Sequence, residues 1–209
     1  MNGFRPRGRR SVHTATAIAF TTTALALLAE VALSPSAPPA PPESVLAGRS
    51  DPSREPPQGS AQPLPASRPE HIDIPEVGLS AKIVPVGTTA DGAIAMPKDA
   101  DRAGWYNGSP TPGEYGNTLV VGHLDSANGP AAFYRLGALR KGDRISLTRQ
   151  DGTRVGFTVT RMAVHPKGDF PSRSVYAPTS QPQLTLITCA DWDDSQQRYR
   201  ANLVVTGHL

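Results

Sequence analysis

Three residues with reactive or charged side chains stand beside apolar runs in this chain. His123 closes "TLVVGH", Cys189 closes "LTLITC", and Arg200 directly precedes "ANLVV". If those runs are neighbouring strands, the strand ends share a rim and the three side chains can meet on one face. A thiol, an imidazole and a guanidinium together suit acyl transfer. The thiolate attacks a carbonyl carbon, the imidazole gives a proton to the departing amine, and a fixed cation with five donors steadies the oxyanion. A cationic neighbour also enriches the reactive thiolate. Each residue has a plain alternative: a buried thiol filling the core, a histidine in a turn after glycine, an arginine on a solvated strand edge. Cys189 is the only cysteine, which excludes an intramolecular disulfide and a multi-cysteine zinc site.

The segments that would position these residues begin near Glu70. Short apolar runs recur there between turn signals, the pattern of an all-β barrel or sandwich with short helices. "HIDIP", "AKIVPVG", "AIAMP", "NTLVVGHL", "DRISLTR", "RVGFTVTRMAV", "QLTLITC" and "ANLVVTG" are the strand candidates. Asp151-Gly152 in "QDGT" predicts a tight hairpin between two of them, since both positions tolerate positive φ. Prolines 75, 85 and 97 are expected to close strands, because proline cannot donate to a ladder. The one helix candidate is "GPAAFYRLGAL", Gly129 to Leu139, with Pro130 in its first turn.

The first seventy residues differ in kind. "MNGFRPRGRR" carries four arginines and no acid, and "TATAIAFTTTALALLAEVAL" follows over residues 14–33. About 20 largely apolar residues can span a bilayer. The arginines predict that residues 1–13 stay in the cytoplasm and the remainder is exported. A cleaved signal peptide is the competing reading, since "ALS" and "SAPPA" supply small residues. Residues 34–69 hold 11 of the 22 prolines and little apolar surface, which predicts a disordered tether. The working domain is then 70–209. The formal charge of +3 lies largely in the basic tail, so a nucleic-acid partner is not expected.

"GWYNGSPTPGEYGNTLVVGHLDSANGPAAFYRLGALRKGDRISL" with "LTLITCADWDDSQQRYRANLVV" resembles the sortases, and within them class F. The likeness extends from about Ile72 to the C-terminus and includes "IDIPEVGLSAKIVPVG", similar to the family's first two strands. It implies an eight-stranded sortase-type β-barrel carried on a membrane anchor. It further implies a cysteine transpeptidase cleaving a C-terminal sorting signal of LPXTG type between Thr and Gly, with a cell-wall precursor amine, or water, as acceptor. By this analogy Cys189 is the nucleophile, His123 the general acid and then base, and Arg200 the oxyanion cation. Secreted proteins bearing the signal are the implied partners, at the outer face of the cell membrane. No cofactor is implied.

Some assignments stay open on sequence alone. Arg198 shares strand parity with Arg200 and is a second candidate for holding substrate. Thr188, before the cysteine, is a candidate for the oxyanion site through its backbone or hydroxyl. Asp125 suits either orienting His123 or stabilising a turn. Asp191, Asp193 and Asp194 do not have the spacing of a calcium loop and read as a solvated turn, so no metal is expected. Where similar class F chains carry two glycines after the cysteine, this one has Ala190-Asp191, which reshapes the loop beside the nucleophile. His71, His165 and His208 are expected on the surface, and Trp105 and Tyr106 at the barrel rim. The rival readings are a catalytically silent binding barrel, or a sortase that mainly hydrolyses or polymerises pilins.

Overall fold

The chain forms the strands β1 (Pro69–Ile74), β2 (Leu79–Val86), β3 (Ala103–Tyr106), β4 (Gly116–Gly122), β5 (Asp125–Ser126), β6 (Gly129–Pro130), β7 (Arg144–Arg149), β8 (Arg154–Pro166), β9 (Pro182–Asp193) and β10 (Arg198–His208), with period-two alternation of apolar residues clearest in β1, β2, β7 and β8. This is a computed structural model, and it describes residues 62–209 and Pro39. The basic tail, the apolar segment 14–33 and the tether to residue 61, Pro39 apart, lie outside the described residues. Among the described residues no helix is long and apolar enough to cross a membrane.

Eight strands close into a barrel in the order β1-β2-β3-β4-β9-β10-β8-β7, and β7 pairs back onto β1. This is the eight-stranded all-β barrel that the sequence predicts. The β2–β3 and β4–β9 pairs are parallel and the other barrel pairs antiparallel. Ile72, Ile74, Leu147, Phe157, Leu184, Leu186, Leu203 and Val205 point inward and are essentially sealed from solvent. Burying each such side chain contributes roughly 1.5–3 kcal/mol. Every residue of β4 is buried. Covered on both faces, it carries the consecutive apolar residues Leu119, Val120 and Val121 after the buried polar pair Asn117 and Thr118.

A bulge in β8 sets which side chains reach the outside. Thr206 pairs with Arg161 and Gly207 with Val159, so Thr160 is the extra residue. Val155, Phe157 and Val159 face the core before it, and Met162 and Val164 after it. The change of parity turns His165 outward.

The Asp151-Gly152 turn forms as expected. Gly152 has φ +81°, and the Arg149 N–H donates to the Thr153 carbonyl across the turn at 2.9 Å. The predicted helix over Gly129–Leu139 does not form. Pro130 pairs with Asp125 in the β5–β6 ladder, and the Ala132 and Phe133 amides donate to the Ala100 and His123 carbonyls. With its hydrogen bonds committed to other segments, the stretch keeps only a 3-10 turn at Leu136–Ala138. A four-residue helix, α1 (Ser172–Val175), forms instead in the β8–β9 connection. Pro75 ends β1, whereas Pro85 lies inside β2 opposite Trp105. "AIAMP" contributes only an isolated bridge between Ile94 and Thr88. Trp105 is in the core rather than on the rim.

The sequence places the end of the tether at Pro69, yet Leu64–Arg68 bind the barrel. The Leu64 amide donates to the Gly113 carbonyl at 2.9 Å, and its side chain packs on the core. Arg149 fastens this segment. Its guanidinium is 1% exposed and donates to the Pro112 carbonyl (3.0 Å), the Pro65 carbonyl (2.6 Å) and the Asp151 carboxylate (2.7 Å). Arg149→Met leaves both carbonyls without this donor. It is expected to lower stability by about 2–4 kcal/mol in urea unfolding. Amide exchange at Leu64 should accelerate more than exchange in β9.

Candidate active site

The β4–β9 ladder holds a constant register from Gly116 opposite Pro182 to Val121 opposite Ile187. His123 follows the end of β4 two residues past Val121, and Cys189 follows Ile187 by the same two residues on β9. Val121 and Ile187 belong with Val204 to an apolar cluster separate from the barrel core. His123 and Cys189, two residues along, share that outer face.

The histidine is held from several sides. Its Nε2 lies 2.9 Å from the Pro97 carbonyl oxygen. A carbonyl only accepts, so the neutral ring carries its proton on Nε2 and leaves Nδ1 as the acceptor nitrogen. Behind it, the Phe133 amide donates to the His123 carbonyl at 2.9 Å. Gly122 permits this contact, because a Cβ there would stand 2.6 Å from the buried Phe133 ring. The glycine of "VVGH" is a packing requirement for placing the histidine.

Cys189 is partly exposed and lies within β9, not at its end. Beyond Cys189 and its partner Asn202, strands β9 and β10 continue to Asp193 and from Arg198 as a hairpin. The β4 and β8 ladders stop at Ile187 and Ala201. The hairpin therefore projects past the barrel body, and Cys189 sits where the closed wall ends. The Lys167 ammonium, in the 3-10 turn Lys167–Asp169 after β8, donates to the Cys189 sulfur at 3.8 Å.

Arg200 lies two residues along β10 from Asn202, between Tyr199 and Ala201, whose partners Trp192 and Ala190 flank Asp191. Its guanidinium bonds the Asp191 carboxylate at 3.0 and 3.1 Å and lies 3.7 Å from that of Asp193. Asp191 holds the Arg200 guanidinium protonated even more firmly than usual. Ser195 hydrogen bonds, with Arg200 nearby, keep the Asp193 carboxyl below its ordinary range. Asp191 adopts φ +58° inside the strand, where glycine would be unstrained. It belongs to a paired ladder rather than to a loop.

The other candidates separate by parity. Thr188 points into the barrel, where its hydroxyl donates to the Gly122 carbonyl at 2.9 Å. It clips β9 to the end of β4, and its side chain is not on the substrate face. Arg198, opposite Asp193, is four residues from Asn202, about 13 Å along the strand. Of the two arginines, Arg200 is nearer the thiol. Asp125 does not orient His123; it accepts from the Tyr199 hydroxyl. Burial and then that carboxylate push the Tyr199 phenol well above its ordinary value. The Tyr199 ring packs edge-on against Trp192.

Sequence reasoning misses Lys167, Asn202 and His165. His165, expected on the surface, is partly buried edge-on against Phe170. It pairs with Asn202, which pairs with Cys189, so Cys189, Asn202 and His165 form one row across β9, β10 and β8, with His123 just past the end of β4. Burial and Arg161 keep His165 below the usual histidine range. No motif spacing signals this row, because it depends on the β8 bulge. His208 is also partly buried, while His71 bonds Ser80 on the exposed side of β1.

From His123 the outer face of β4 descends through Val121 and Leu119 to Asn117. Val86 and Ile94 flank it on one side, Phe170 and Val175 on the other. Ile94, Tyr106, Asn117, Leu119 and Tyr176 line an open groove of about 320 Å³. This groove lies toward the Asn117 end of β4, and the apolar patch of Val121, Ile187 and Val204 lies between it and the residues around Cys189. Among the described residues no cluster of His, Cys, Asp and Glu is arranged to hold a metal ion.

Long-range ¹⁵N spectra above neutral pH are expected to show His123 protonated on Nε2; an Nδ1–H tautomer would contradict the Pro97 contact. Gly122→Ala is expected to cost about 1–3 kcal/mol of stability through overpacking against Phe133. It should perturb the His123 resonances more than those of β7.

Three comparisons place this geometry among known proteins. A family model described as the sortase domain matches residues 72–209. Sortase C1 from Streptococcus agalactiae is similar with a TM-score of 0.53 and 19% identity, over 66% of this chain and 65% of that one. A lid mutant of sortase A from Corynebacterium diphtheriae gives 0.51 and 26%, over 68% and 71%. A sortase D5 transpeptidase from Clostridium perfringens gives 0.51 and 22%, over 66% and 76%. The chain thus spans just under two thirds of the streptococcal protein, and the streptococcal and clostridial likenesses are of fold. No curated protein matched. With a matched domain that contains His123, Cys189 and Arg200 on an eight-stranded barrel, the chain belongs to the sortase family of cysteine transpeptidases.

Proposed function

We propose that this protein is a class F sortase, anchored in the membrane through residues 14–33, that cleaves a C-terminal LPXTG-like signal on exported proteins. The acyl group passes to a cell-wall precursor amine. The observation that supports this most is the β4–β9 register, which ends at Val121 opposite Ile187 and so leaves His123 and Cys189 each two residues further on, beside one exterior apolar patch. Class F membership rests on the sequence likeness described above.

In this reading the Cys189 thiolate adds to the Thr–Gly carbonyl carbon. A C–S bond forms and the carbonyl π pair moves to oxygen. Arg200 stabilises that oxyanion. Collapse breaks the C–N bond, and the His123 imidazolium gives its proton to the leaving amine. An incoming amine, deprotonated by His123, adds to the thioester and the thiolate departs. Water in its place yields the free acid.

Incubating the full chain with LPXTG-type peptides should give a thioester on Cys189 detectable by mass spectrometry. Cys189→Ala should abolish cleavage, and His123→Ala should lower kcat about 10²–10⁴-fold. Added amine should divert product from acid to amide. Cleavage that survives Cys189→Ala would overturn the reading, and groove binding without turnover would favour a silent binding barrel.

A further inference from the structure

The cation touching the nucleophile is not the expected arginine. Lys167 Nζ lies 3.8 Å from Cys189 Sγ, whereas the Arg200 guanidinium is bound to two carboxylates. The lysine position follows from the fold. β8 ends at Pro166, opposite Ala201, one residue past the row that contains His165, Asn202 and Cys189. The 3-10 turn that follows starts at Lys167, and its exposed flexible stem reaches over Asn202 to the sulfur. Resting on the proposed transpeptidase chemistry, we propose that Lys167 is a further catalytic residue. Its ammonium pairs with the Cys189 thiolate in the resting enzyme and remains beside the carbonyl oxygen as negative charge moves there.

Among the charged groups around the thiol, Lys167 is the one in contact with sulfur, and it acts beside Arg200 at the oxygen. His123 faces it from the end of β4, and His165 stands beyond Asn202 on β8. Asp169 shares the lysine's turn, and Arg161 lies further back on β8. On the hairpin, Asp191 and Asp193 face Arg200, and the Tyr199 phenol is held by Asp125. The hairpin charges thus largely balance among themselves, while Lys167 directs its charge at sulfur. The lysine keeps its proton throughout. It stabilises the electron pair on sulfur, then the pair displaced onto oxygen, and His123 alone transfers protons.

The test is the pH dependence of Cys189 alkylation by iodoacetamide in the full chain, alongside peptide cleavage. Lys167→Gln should move the half-maximal alkylation rate up by about one pH unit and lower kcat/KM about tenfold, since one unit of pH corresponds to a tenfold change in thiolate. Lys167→Arg should restore most of both, and Lys141→Gln, before β7, should change neither. An unshifted profile in a folded Lys167→Gln protein with wild-type turnover overturns the proposal and leaves Cys189 chemistry standing. Failure of Lys167→Arg to recover any of the shift overturns a charge-based role. Cleavage that is indifferent to Cys189→Ala removes the underlying transpeptidase reading instead.

Discussion

The parallel pairing of β4 with β9 is the constraint on which the site depends. His123 and Cys189 are 66 residues apart in sequence, and no direct side-chain bond need join them. Backbone hydrogen bonds fix their spacing, and the pleat fixes their common face. Sliding one strand by a single residue would send the imidazole inward and leave the thiol outward. That slip is opposed from both sides of the sheet. Leu184, Leu186 and Val120 are packed in the barrel, Val121 and Ile187 beneath the groove, and Thr188 locks the top of the ladder to Gly122. Stability and catalytic geometry rest on the same contacts.

The two faces of this wall have different tasks. Inside, apolar side chains supply the burial that closes the barrel. Outside, a smaller apolar patch forms a floor between the β2–β3 connection and the β8–β9 connection, and polar residues gather only where the closed wall ends. The protruding hairpin adds a third environment. There Asp191 accepts a backbone conformation that favours glycine, and in return its carboxylate meets Arg200 directly across the ladder. Asp191 therefore sets the electrostatics around the arginine as well as the local backbone.

Much of this was legible in the residues. The strand runs, the Asp151-Gly152 turn and the buried character of "NTLVVG" follow from local patterning, and each forms except "AIAMP", which makes only an isolated bridge. The pairing of "VVGH" with "LTLITC" was readable because strand ends and family likeness pointed the same way. Other features rest on long-range facts. The Gly129–Leu139 stretch looks helical by composition, but its amides are claimed by Ala100 and His123, which no local window contains. Lys167 and His165 enter the site through a one-residue bulge at Thr160, invisible in an otherwise regular run. Arg149 reads as a charged strand end and becomes the most buried cation among the described residues, because three oxygen acceptors converge on it from separate segments.

That buried guanidinium has a mechanical consequence. The chain meets the barrel at Leu64–Arg68, at the end of β4 remote from His123, and is riveted there by Arg149 before β1 begins. Tension arriving from the N-terminal side is borne first by this rivet, then by the β1 ladders with β2 and β7. The β4–β9–β10 wall that carries the thiol lies off that load path. A pull from the N-terminal side would strain β1 and its neighbours β2 and β7 first, while β4, β9 and β10 keep their alignment.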